Sequence, residues 1–248
     1  MTKEEQAYSN YLHRVGAAAP APLQAALIDM DGVLYDSMKH HAASWNRLAG
    51  ELGWKTEPNE FYLYEGMTGK AVIKKLMMRD CGKTVTDDEA AAIYARKSQY
   101  FSAMGEVDPI PDTNRVLDFF VKSGITCVLV TGSGQHTLLD RLDRDYSGVF
   151  APDLRVTALD VHHGKPDPEP YLMGLKKSGK QAENAIVVEN APLGVKAGNA
   201  AGCFTVAVTT GPIPEEILYA HGADIVYPDM AAFAAALPAL TALRTVNS

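Results

Sequence analysis

The chain has 248 residues and a formal net charge of −7, with 47% apolar and 21% charged residues. That is enough for one large domain, or a domain carrying a smaller insert, and the acidic balance argues against a general nucleic-acid binder. No stretch reaches the ~20 apolar residues that span a bilayer. The polar start "MTKEEQAYSNYLHR" lacks a secretion layout, so a cytoplasmic protein without membrane contact is expected.

The first twenty or so residues read as a short helix followed by the linker "VGAAAPAPLQ". From Ala25 onward, short β-branched runs alternate with longer stretches at helical spacing. The runs "AALI", "ITCVLV", "AIVV", "CFTVAV" and "ADIVY" read as buried strands. Between them, "DTNRVLDFFVKSG" places Val116, Leu117, Phe120 and Val121 on one face and stops at Gly124. "APLGVKAGNAAG" reads as a helix ending near Gly202, and the Ala-rich "DMAAFAAALPALTAL" as another. This alternation implies an α/β fold with a parallel sheet covered on both faces.

One region breaks the rhythm. From Met38 to Gly105 only helical segments are legible: "HHAASWNRLAGELG", "KAVIKKLMMRD" and "TDDEAAAIYARKSQYFSAM", the last capped by Thr86 or Asp87. It reads as a helical module inserted after the first strand, with the Pro-rich "EVDPIPDT" as the return hinge. The expected division is a core of 1–37 and 106–248, with 1–22 as an N-terminal extension, and a cap of 38–105. Met77, Met78, Tyr62 and Tyr64 are expected to pack that cap. Cys81, Cys127 and Cys203 are expected to be small buried residues of a reducing compartment. His162 and His163 are expected in a loop.

The polar residues gather at strand ends. The first strand ends in Asp29-Met30-Asp31-Gly32, a second in Thr131-Gly132-Ser133-Gly134, and a third in Glu189-Asn190. The loop "HHGKPDPEP" adds Lys165. In a parallel sheet these ends share one edge, where open α/β sheets place ligands. Carboxylates and an amide suit a hard cation such as magnesium, whereas lysine, threonine and backbone amides suit a phosphoryl group. Asp29 and Asp31 point the same way in an extended chain. Asp29 can then attack phosphorus, while Asp31 protonates the leaving oxygen and later activates water.

With those residues in place, "DMDGVLYDS", "LVTGS", "GKPDPEPY" and "VVENAPLGVKAG" resemble the four motifs of the haloacid dehalogenase superfamily, from Ala25 onward. The resemblance implies a Rossmann-like, doubly wound core with a small α-helical cap of the β-phosphoglucomutase branch, with His41 and Trp45 in that branch's hinge-to-cap segment. It makes Asp29 the nucleophile, Asp31 the general acid/base, and Thr131 and Lys165 the phosphoryl grips. It puts magnesium on Asp29, the Asp31 carbonyl and Asn190. The Thr131 loop would bind substrate through Gly132 and Ser133, and Glu189 would back the site without touching substrate.

Three departures matter. Asn190 stands where the mutase branch has an aspartate, Gly69 where it has a phosphate-holding arginine, and Gly134 where it has a lysine. Glu65, in the cap loop, would restore the lost charge if it reached the metal. Together with "TGSGQ", these features are most similar to a bacterial inorganic pyrophosphatase of the superfamily. By that resemblance Lys97 and Gln135 would hold the distal phosphate, with His41 beside the substrate. Glu65 as a solvated loop residue, Lys97 as an exposed helix lysine and His41 as a packing or capping residue stay open. The expected partner is pyrophosphate or a small phosphorylated substrate, and the expected state a monomer. A β-phosphoglucomutase or sugar-phosphate phosphatase is the nearest rival, and a phosphorylation-switched regulator a distant one.

Overall fold

A computed structural model describes residues 1–133 and 136–244. Gly134 and the expected substrate ligand Gln135 lie outside the described residues. Six parallel strands form one sheet: β1 (Ala25–Ile28), β2 (Thr126–Val130), β3 (Arg155–Val156), β4 (Ala185–Glu189), β5 (Phe204–Val208) and β6 (Ile225–Tyr227), in the order β3-β2-β1-β4-β5-β6. Strand β3 was not foreseen, because two residues at a sheet edge carry no readable periodicity.

The sheet is buried on both sides because alternate residues serve different cores. Ala26 and Ile28 pack with Phe120, Phe204 and Phe233, whereas Ala25 and Leu27 pack with Val128, Val187 and Tyr171. The helices sort accordingly. Helices α1 (Lys3–Val15), α6 (Thr113–Lys122), α7 (His136–Asp145) and α11 (Met230–Ala242) supply the first core. Helices α8 (Glu169–Ser178) and α9 (Pro192–Ala200) supply the second, and α10 (Glu215–Ala220) closes a small cluster over β5 and β6. In α6 Val116, Leu117 and Phe120 are buried, each worth about 1.5–3 kcal/mol. Val121, expected on that face, is half exposed instead. Its position falls just past the edge of the narrow stripe that meets the sheet.

The N-terminal extension is part of the core. Thr2 closes a capping box with Glu5, and Tyr8 and Tyr11 stack at 5.7 Å while meeting the Phe204 ring edge-on. Arg14 pairs with Asp224 at 2.9 Å.

Between Met38 and Gly105 the chain forms helices and no strand: α2 (Met38–Leu52), the unforeseen single turn α3 (Glu60–Leu63), α4 (Gly69–Cys81) and α5 (Asp87–Ser102). These enclose their own apolar cluster, in which Trp45 and Phe61 stack at 5.7 Å and Trp54 is buried. Thr86 caps α5, in a capping box with Glu89, rather than Asp87. Met77 and Tyr64 pack the cluster, as expected, but Met78 points out and is half exposed. Cys127 and Cys203 are buried, whereas Cys81 is only partly so; all three are free thiols. The two hinge segments run side by side: Asp36 N donates to Asp108 O, and Ile110 N donates to Leu34 O. No described helix is long and apolar enough to cross a membrane.

Candidate active site

The three central strands deliver the site. Asp29 continues β1, donating its N–H to Val188 O, and Thr131 continues β2, donating to Val156 O. Glu189 ends β4, and Lys165 reaches in from the loop before α8. Asp29, Asp31, Thr131, Ser133, Lys165, Glu189 and Asn190 are all buried polar residues. Such groups persist only where partners offset their desolvation.

Lys165 supplies much of that compensation. Its Nζ donates to Asp29 Oδ1 at 2.6 Å, Glu189 Oε1 at 2.6 Å and Val130 O at 3.0 Å. All three of its protons are therefore placed inside the protein. Burial pushes the Asp29 carboxyl upward while Lys165 pulls it down. The pair holds Lys165 protonated, above its ordinary range. Beside an ammonium at 2.6 Å, Asp29 is the ionised partner.

Asp31 is turned toward the cap. Its Oδ1 accepts from Ser37 Oγ at 2.6 Å and lies 3.0 Å from His41 Nε2. Lys97 Nζ stands 2.5 Å from His41 Nδ1, so the consistent arrangement has Lys97 donating to His41 and His41 donating to Asp31. Burial pushes Asp31 up, but the His41 and Ser37 bonds and the Lys97 charge outweigh it and hold the carboxyl low. Burial, then the Lys97 charge, keeps His41 neutral. Lys97 is fully buried on α5 beside Trp45, Tyr94 and Phe101, with its Nζ 5.0–5.8 Å from their ring centroids. Burial brings its pKa down to about 7. The exposed-lysine and packing-only alternatives for Lys97 and His41 are set aside by these contacts.

Glu65 enters from the cap loop. Its carboxylate oxygens lie 3.3 and 3.4 Å from Asn190 Nδ2. Burial, together with the charges of Asp29, Asp31 and Glu189, raises its carboxyl far above the usual range. It is not a solvated loop residue. Cap and core meet tightly here: a Cβ on Gly132 would lie 2.4 Å from Gly66 O.

Among the described residues, Asn190 Oδ1 is buried without a hydrogen-bond partner, and Glu65 faces three carboxylates with an amide to answer it. Both features call for a cation, and the donor set is all hard oxygen. Among the described residues, no ready-made cluster of three His, Cys, Asp or Glu side chains is present. The residues that could hold such an ion are mixed donors: the Asp29 and Glu65 carboxylates, the Asn190 amide and the Asp31 backbone carbonyl.

The cavity between cap and core is narrow, about 50 Å³, and includes Asp29, Asp31, His41, Glu65, Lys97 and Thr131 in its wall. Gly69 also lines it, and a Cβ there would fall 2.1 Å from the Tyr94 ring. The Tyr94 ring thus fills the space into which a longer residue at 69 would grow. Lys70, the neighbouring cation, is exposed and is not part of that wall. His162 and His163 are exposed, their backbone N–H groups donating to the Glu169 carboxylate. Sequence reading gave no role to Ser37 and Tyr171, although they end the stretches "DMDGVLYDS" and "GKPDPEPY", nor to Tyr94.

Two buried carboxylates at the end of a central parallel strand, beside a buried lysine and beneath a helical cap, suit phosphoryl transfer. The model of the haloacid dehalogenase-like hydrolases matches residues 23–202, and the chain belongs to that family. It is accordingly an enzyme, a hydrolase of the phosphatase type. Hexitol phosphatase A of Escherichia coli is 32% identical over 183 residues, covering 73% of this chain and 81% of its own. A phosphorylated carbohydrates phosphatase of Thermotoga maritima is 28% identical over 181 residues, covering 73% and 82%. Among solved structures, a Bacteroides vulgatus protein provisionally named a beta-phosphoglucomutase superposes with a TM-score of 0.93 at 42% identity, covering 98% of this chain and 99% of that one.

Proposed function

We propose that the protein is a magnesium-dependent phosphohydrolase whose best substrate is inorganic pyrophosphate. The observation that carries this reading is Glu65, a carboxylate the cap delivers beside Asn190 and Asp29. Without a cation it repels a phosphate; with one it tightens the site around a small polyanion. The narrow cavity and the Tyr94 ring over Gly69 favour the same substrate, since pockets that take drug-sized ligands are usually about 300–1,000 Å³.

In this reading an Asp29 carboxylate oxygen attacks one phosphorus, forming an aspartyl-phosphate as the bond to the bridging oxygen breaks. Asp31 relays a proton from the Lys97–His41 chain to the departing phosphate, then takes one from water, which attacks the same phosphorus and frees Asp29. Ser37 and His41 aim Asp31, and Thr131 with the backbone of Gly132 and Ser133 receives the transferring group. Lys165, saturated in the resting site, can pass its Asp29 bond to a phosphoryl oxygen once Asp29 is esterified. Lys97 meets the distal phosphate. Magnesium, when bound, supplies positive charge to the phosphoryl oxygens.

A second reading is a sugar-phosphate phosphatase or phosphomutase, favoured by the names of the hexitol and carbohydrate phosphatase relatives. Phosphate release from pyrophosphate, β-glucose 1-phosphate and other hexose phosphates, with magnesium, separates the two. A large kcat/KM advantage for pyrophosphate is expected; preference for a hexose phosphate overturns the pyrophosphatase reading.

A further inference from the structure

Tyr171 lies on α8, outside the candidate site, and is fully buried. Its hydroxyl donates to Glu189 Oε1 at 2.6 Å. That same oxygen accepts from Lys165 Nζ at 2.6 Å, and Lys165 in turn holds Asp29 Oδ1 at 2.6 Å. The other oxygen, Glu189 Oε2, accepts the backbone N–H of Asn190 at 3.0 Å and of Ala191 at 3.2 Å. Glu189 is thus bonded on both sides, between the lysine that holds Asp29 and the turn that presents Asn190.

The charge count gives Tyr171 its place. Asp29 and Glu189 are two buried carboxylates sharing one buried ammonium, so one negative charge depends on neutral donors. Two of these donors are the backbone amides on Oε2. The tyrosine hydroxyl is the third, and it serves the oxygen that also draws on Lys165. The Lys165 Nζ also lies 5.0 Å from the centroid of the Tyr171 ring, so ring and hydroxyl together border the ammonium. Gly194 leaves room for this arrangement: a Cβ there would lie 1.8 Å from Glu189 Oε1.

We infer that Tyr171 is a positioning residue for phosphoryl transfer: by sharing Glu189 Oε1 with Lys165, its hydroxyl leaves Lys165 balanced between Glu189 and Asp29. Without the hydroxyl, Glu189 becomes the hungrier acceptor and pulls Lys165 toward itself. Asp29 then loses its aim at phosphorus, while the residues that bind the substrate stay as they were. The effect belongs on the step that forms the aspartyl-phosphate.

This inference rests on the reading of Asp29 as nucleophile, and the experiment separates the two. Single-turnover formation of the acid-quenched phosphoenzyme is measured, with pyrophosphate and magnesium, for the unmodified protein, Tyr171→Phe, Glu189→Gln and the double variant. Tyr171→Phe is expected to slow phosphoenzyme formation about 5- to 50-fold with KM changed less than about twofold. Because Tyr171 acts through Glu189, the same change made in Glu189→Gln should add less than about twofold. Unchanged phosphoenzyme formation in a folded Tyr171→Phe, or full additivity in the double variant, overturns the inference. A loss of thermal stability alone, with kcat and KM intact, also overturns it by reducing Tyr171 to packing. If the unmodified protein forms no phosphoenzyme on any phosphate substrate, the nucleophile reading itself fails. Should Tyr171→Phe not fold, Tyr171→His, which keeps a ring donor, is measured instead and is expected to retain more than half the rate.

Discussion

Glu65 of the cap and Asn190 of the core meet at 3.3 Å, so the residue whose charge looks out of place in a phosphate pocket lies against the residue that lacks one. They are separated by 125 positions, and the packing of the cap against the core brings them together. Glu65→Gln is expected to raise the magnesium concentration needed for half-maximal activity about tenfold or more, with a comparable loss of kcat/KM. Its melting temperature in the absence of metal should hold or rise, because a partly buried, poorly paired carboxylate is removed. Magnesium titrations of activity and thermal melts check both; an unchanged magnesium requirement removes Glu65 from the metal site.

Asp29→Asn is expected to lower turnover on the order of 10⁴-fold or more and to abolish covalent phosphate capture. The side chain keeps its size, and Lys165 can still donate to its oxygen, so the fold should survive. Circular dichroism and acid-quenched phosphate incorporation test this. Surviving turnover would exclude Asp29 as the nucleophile.

Lys97 gives a pH dependence with a definite sign. Its pKa is brought down to about 7 by burial, and the rings of Trp45, Tyr94 and Phe101, neutral His41 and the Asp31 carboxylate face it. As pH rises through about 7, the free enzyme loses this cation, so kcat/KM for pyrophosphate should fall. Lys97→Met should raise KM at pH 6 and flatten that limb. Lys97→Arg, which stays charged, should carry activity to higher pH.

Tyr94 against Gly69 makes a size barrier. Tyr94→Ala is expected to improve hexose phosphates relative to pyrophosphate by roughly tenfold, the scale of a modest change in pocket shape. Adding Gly69→Arg in that background should increase the shift. Competition assays with mixed substrates read the ratio directly.

Gly194→Ala places a methyl group against the Glu189 carboxylate. Overpacking at such a site costs about 1–3 kcal/mol. Here it also displaces Glu189, so both the melting temperature and kcat should fall. Denaturant titration together with steady-state rates distinguishes this from a purely structural loss.

The parallel sheet, the inserted helices and the edge that gathers Asp29, Asp31, Thr131, Lys165 and Asn190 were legible in the chain. β-branched runs make buried strands, and parallel connection puts their C-terminal ends on one side whatever the loops do. The two-residue β3 and the single turn α3 were not legible, since neither is long enough to show a period. The exposure of Val121 and Met78 depends on how wide a stripe of each helix its neighbours cover, which no local pattern records. Most of all, residues far apart in the sequence acquired their chemical character only by meeting. Lys97 became a buried cation by meeting His41, and Glu65 a confined carboxylate by meeting Asn190. Tyr171 became a donor to Glu189. The sequence determined which side chains were present and which edge they share. Tertiary packing alone decided their desolvation and partners, because both depend on contacts across tens of residues that no local pattern encodes.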